Sequence, residues 1–240
     1  MDLNNLKTKQ DIKLDNDYTG STLLESGTYK ATTELAYITT SKGGAMALNY
    51  VGKTDTGAKI TQQFWMTSGT AKGGKNTFTD KQGNEQYLPG FMAANSLSLL
   101  TVGKEIADTS VEEKVINLYD YDQKKEVPTK VQMFIDLVGT EIIAGVQKQT
   151  VDKTAKNDAN QYVPTGETRS ANEVVKFFRA KDSLTVTEIT AEVQEAAYIH
   201  VWTGQNEGKV IDKSTPSNGA TAGAPNKPTK AASKTASLFS

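Results

Sequence analysis

Between positions 42 and 75, Lys42, Lys53, Lys59, Lys72 and Lys75 stand against a single acid, Asp55, and Trp65 lies among them. Reading Lys59 to Thr67 with a period of two separates two faces. Ile60, Gln62, Phe64 and Met66 form an apolar side, while Thr61, Gln63, Trp65 and Thr67 form a polar one. An indole on a wet face beside ammonium groups has the parts of a single-stranded nucleic-acid groove. The ring can stack a base for roughly 1–3 kcal/mol while lysines follow the phosphates. A second reading stays open, because an aromatic on a strand face is commonly covered by another element.

Further rings extend the pattern. On 131–138, Val131, Met133, Ile135 and Leu137 share one face, leaving Phe134 with Lys130, Gln132 and Asp136 on the polar side. Tyr119 and Tyr121 share one side of a short segment, and Phe78 sits in the basic loop. Rings on polar faces of two neighbouring strands would make a stacking platform. Lys72-Gly73-Gly74-Lys75 could add backbone amides and two ammonium groups for phosphates, or serve as a plain turn.

Catalytic chemistry finds little support. The chain has no cysteine and one histidine, His200, which removes thiolate catalysis, zinc-thiolate sites and multi-histidine metal centres. Gly52-Lys53-Thr54 resembles the end of a phosphate-binding loop but lacks the upstream glycine and a following helix. Asp120 and Asp122, with Asp136, could seed a magnesium-dependent nuclease, which needs further converging acids. We therefore expect no enzyme, no cofactor and no metal.

The elements that would position these residues are mainly strands. Thr28 to Thr40, Ala45 to Val51 and Lys59 to Thr67, separated by Gly43-Gly44 and by Asp55 to Gly57, predict an antiparallel meander. Ser68 to Gly83 reads as a mobile loop, and Leu88 to Val102 as a helix closed by Gly103. Val115 to Tyr121 fits a short strand or helical turn. Val131 to Val138 and Ile142 to Val146 predict a hairpin around Gly139. Lys153 to Gly166 reads as a polar loop, Val174 to Phe178 as a strand, and Val186 to Ala197 as a helix capped by Thr185 or Thr187. This points to a mainly β fold, an OB-fold-like Greek-key barrel with one or two helices. A β-sandwich would give much the same text. The division is a polar arm (1–20), one domain (21–212) and a Lys, Ala, Pro and Ser tail (213–240) too apolar-poor to order.

The net charge of −1 hides a distribution. Nine lysines against seven acids give +2 over 1–75, and four lysines against none give +4 from Lys213 onward; the stretches between are acidic. Nucleic-acid affinity would therefore be local. With only Arg169 and Arg179 as arginines, base-specific duplex reading lacks its commonest tool. No run of eighteen apolar residues and no leader-like segment occurs, so a cytosolic protein is expected.

The segment Ile116-Asn117-Leu118-Tyr119-Asp120-Tyr121-Asp122-Gln123-Lys124-Lys125-Glu126-Val127-Pro128 resembles one in replicative single-stranded DNA-binding proteins of tailed bacteriophages. Asn160 to Thr165 and Asn172 to Phe178 are similar as well, and the likeness spans roughly 20–200. It implies an OB-fold core and sequence-independent binding of single-stranded DNA in replication, recombination and repair, in the cytoplasm of the infected host. It also implies a flexible carboxyl-terminal tail that contacts replication proteins. Such tails are acidic with a terminal aromatic; here Leu238 and Phe239 supply the apolar hook, but Lys227, Lys230 and Lys234 replace the acids.

The expected site is thus Trp65, Phe134 and Tyr119 for stacking and Lys42, Lys53, Lys59, Lys72 and Lys75 for phosphates, with self-association left open. The rival is a β-rich phage head or tail subunit.

Overall fold

Three strands with the expected alternation begin the described part of the chain. In the computed structural model, which describes residues 23–120, 123–158 and 161–215, β1 (Gly27–Thr40), β2 (Met46–Thr54) and β3 (Lys59–Trp65) form an antiparallel meander. Gly44 and Gly57 take positive φ in the two turns, which glycine does without a Cβ penalty. The inner face carries Leu48, Tyr50, Ile60 and Phe64, all buried. Burial pushes the Tyr50 phenol up to about 12, opposed by the neighbouring Thr33 hydroxyl.

The stretch expected to be a mobile loop holds a 3-10 turn at Thr70–Lys72 and a small hairpin of β4 (Thr77–Thr79) and β5 (Glu85–Tyr87). Asp80 organises the hairpin turn, accepting from the Asn84 and Gln82 amides at 2.8 and 2.9 Å. The next element, α1 (Pro89–Val102), matches its sequence signals, with proline in the first turn and Gly103 left-handed at the end. It buries Ala94, Leu97, Ser98 and Leu100.

A second hairpin, β6 (Val111–Asp120) and β7 (Lys125–Phe134), is a full ladder where only a short segment was expected. The expected hairpin between 131–138 and 142–146 does not form. The chain leaves β7 through a 3-10 turn at Ile135–Leu137 and enters β8 (Glu141–Lys156), and both strands pair with β1 instead. That edge of β1 is shared: β8 pairs with Gly27 to Thr32 and β7 with Tyr37 and Ile38, and between them, at Thr33 to Leu35, the register with β2 on the opposite edge shifts.

The expected polar loop around Pro164 is also strand. β8 pairs with β9 (Tyr162–Arg179) as a long ribbon whose outer half is exposed on both faces. Pro164 falls beside a register shift at Asp152/Thr154, a position that tolerates a residue without an amide hydrogen. Two short helices follow, α2 (Val186–Thr190), capped by Thr185, and α3 (Tyr198–Asn206); β10 (Val210–Asp212) then runs parallel to β8. Among the described residues there are three α-helices where one or two were expected.

The fold is mainly β. Its strands follow the order β3-β2-β1-β8-β9, curved around one core, but no ladder joins β3 to β9. One side-chain bond spans the seam, from the Val174 amide to Gln62 Oε1 at 3.1 Å, above the edge-on contact of Phe64 with Phe177. The barrel therefore stays open there, with α1 packed against both strands. Among the described residues no helix is long and apolar enough to cross a membrane. The arm and the tail with Leu238 and Phe239 lie outside the described residues.

Candidate nucleic-acid interface

The β2–β3 ladder assembles the site. Its register sets Ala47 opposite Trp65, Asn49 opposite Gln63, Val51 opposite Thr61 and Lys53 opposite Lys59, all on the outer face. Trp65 is 43% exposed there. Ala47, its cross-strand partner, is itself fully buried. The backbone below is held by α1: a Cβ on Gly90 would overlap the Trp65 main chain, so only glycine permits this approach.

Beside the ring runs a polar ladder that the sequence reading did not single out. Gln63 Nε2 donates to Asn49 Oδ1 at 3.0 Å, and Asn49 Nδ2 donates to Thr39 Oγ1 at 2.8 Å. Period-two reading of β2 would have placed Asn49 on the face of Trp65. The N–H groups of both amides are spent within this ladder, so the face it offers is uncharged and presents carbonyl acceptors rather than donors.

The β6–β7 hairpin walls this face. Ile116, Leu118, Val131 and Met133 pack with Leu35 and Tyr37 of β1 in a second apolar cluster. The hairpin leaves a cleft of about 550 Å³ between Leu118 and Tyr119 on one side and Tyr37, Asn49, Thr61 and Gln63 on the other. Tyr119 is 53% exposed at its edge.

The lysines divide between two ends. Lys53 and Lys59 face each other at one end of the ladder, roughly 20 Å from Trp65 at 3.3–3.4 Å per residue. Lys42, Lys72 and Lys75 gather at the other, because the loop after β3 is tied to the β1–β2 turn by the Thr70 amide donating to the Gly43 carbonyl at 2.8 Å. Gly69 permits that contact, since a Cβ would lie 2.7 Å from the Gly43 oxygen. All five lysines are exposed, and the ion pairs among the described residues use other cations.

Two expectations are corrected. Phe134 is 4% exposed and belongs to the main core, whereas Val131 and Met133 belong to the second cluster. The end of β7 is thus covered on both faces, and Phe134 cannot stack a base. The Gly73 and Gly74 amides donate to Thr70 and Gly69 carbonyls, so Lys72–Lys75 offers ammonium groups but not an amide cradle. Of the acids considered for magnesium, Asp122 lies outside the described residues. Asp136 accepts from the Ser110 amide, which with its hydroxyl and Lys104 holds the carboxyl below its usual range despite partial desolvation. Among the described residues no three His, Cys, Asp or Glu side chains converge as a metal site. His200 is exposed on α3, far in sequence from this face.

Comparison with known proteins adds no relative: no protein-family model matches the chain, and no curated protein matches it.

Proposed function

We propose that this protein binds single-stranded DNA without sequence preference, laying the strand along the outer face of β2 and β3. The observation that carries the reading is the half-exposed Trp65 on a neutral polar ladder with unpaired lysines at both ends. Trp65 and Tyr119 offer stacking rings, the Asn49–Gln63 ladder offers carbonyl acceptors, and the five lysines take phosphates. In an OB-type barrel the faces of the second and third strands are the ones that carry oligonucleotides, and the antiparallel order β1-β2-β3 supports using β2 and β3 in that way. The resemblance of 116–128 to phage replicative proteins supports a role in coating unpaired strands during replication and recombination, with Leu238 and Phe239 as a hook for replication partners.

Titration of labelled oligo-dT at several salt concentrations tests the reading. Five phosphate contacts give a log–log salt slope of about −3.5 for a single strand, so affinity falls roughly a hundredfold between 50 and 200 mM salt. Duplex DNA should compete poorly, because the stacking rings require unpaired bases. Absence of any oligo-dT complex at low salt, together with ordered self-assembly, would instead favour the head or tail subunit.

A further inference from the structure

We propose that the apolar cleft between the β4–β5 hairpin, the start of α1 and the ends of β3 and β7 is a nucleobase subsite, with Tyr87 as its stacking ring. The inference rests on the single-strand reading above and extends the bound path beyond Trp65. The cleft measures about 640 Å³, within the range of small-molecule sites. Phe134, Met66 and Ile106 are almost fully buried along it, which explains why an aromatic expected on the surface lies inside. Met46 stands 40% exposed beside it, although it shares the inner-face parity of Leu48.

Two further aromatic rings line the cleft. Tyr87 and Phe91 lie with ring centroids 5.3 Å apart and planes tilted by 34°. Tyr87 is 55% exposed, so its side chain is accessible to a partner. An aromatic base gains from such a ring through stacking whatever its identity.

The rim sorts base from backbone. Thr77 Oγ1 donates to Glu85 Oε1 at 2.7 Å, which holds a carboxylate at the opening. A carboxylate repels phosphate but accepts a hydrogen bond from a ring or exocyclic N–H. Lys75, on the same rim and in no ion pair among the described residues, takes the phosphate that precedes or follows the inserted base. Met66 and Thr67 line the cleft and follow Trp65 in sequence, but Met66 has the inner parity, so a strand bound along the outer face must round the end of β3 to reach this opening.

The experiment compares the full-length protein with its Tyr87→Ala, Tyr87→Phe and Trp65→Ala variants. Each is titrated with oligo-dT and with an abasic strand of equal length, and thermal melting checks the fold. Tyr87→Ala should weaken oligo-dT binding about tenfold, Tyr87→Phe should retain it, and neither should change binding of the abasic strand. If Tyr87→Ala binds oligo-dT like the wild type while Trp65→Ala does not, the subsite is overturned and the single-strand reading stands. Equal losses on oligo-dT and on the abasic strand also overturn it, since the ring would then not be reading a base. Failure of the wild type to bind oligo-dT removes both.

Discussion

Lys53 and Lys59 stand directly opposite one another across the β2–β3 ladder, on the same outer face as Trp65. Like charges in that relationship destabilise a sheet, and no acid pairs with either among the described residues. An arrangement unfavourable to folding but favourable to an anion is what a phosphate contact would select. Lys59→Glu should therefore separate the two effects. Denaturant midpoints should stay level or rise, because the pair becomes attractive, while oligo-dT affinity falls and the salt slope shrinks by about 0.7 per lost contact. A variant that loses stability and keeps its affinity would show that the lysine serves the fold.

Trp65 and Phe134 were equivalent on paper and are opposites in the fold. Trp65→Ala should weaken oligo-dT binding about tenfold with little change in melting temperature, since one stack is lost from an exposed ring. Phe134→Ala should lower unfolding free energy by about 3–5 kcal/mol, because it empties a buried core position. Chemical denaturation and fluorescence titration of both proteins check the contrast.

Gly90 supports the site from behind without facing a ligand. Gly90→Ala drives a methyl into the Trp65 main chain, and relieving that overlap must move the start of α1 or the end of β3. The expected cost is about 1–3 kcal/mol of stability, as for overpacking elsewhere. Because the indole rides on that backbone, oligo-dT affinity should fall as well. Unchanged stability and affinity would mean that the helix does not set the position of Trp65.

Glu188 links the two short helices. Burial tends to raise its pKa, but amides of Tyr198, Thr185 and Ala197, with the Thr185 hydroxyl, outweigh that and hold the carboxyl at about 2. The folded value lies below the ordinary 4.5, so its stabilising contribution is complete above that pH and fades as pH falls toward 2. Glu188→Gln should be less stable than the wild type at neutral pH, and the gap should narrow through that acid window. Denaturant midpoints between pH 7 and pH 2 measure it. A gap that is constant with pH would remove the charge from the explanation.

The local grammar of the chain specified β1 to β3, the outward face of Trp65 and the extent of α1. Alternation of side chains encodes which face of a strand is apolar, and Pro89 and Gly103 mark helix ends through backbone geometry alone. Alternation cannot say what covers a face. That is why Phe134 misled: β7 passes from one apolar cluster to another at its end, and both its faces are then buried. Nor can it name a strand's partner. β7 and β8 are neighbours in sequence yet meet through β1, and the outer half of the β8–β9 ribbon has polar text because it stands clear of the core. The five lysines were visible one by one, but their gathering at two ends of one sheet face depends on long-range contacts between Thr70 and Gly43 and between β2 and β3. Composition chose the chemistry; only the folded chain arranged it in space.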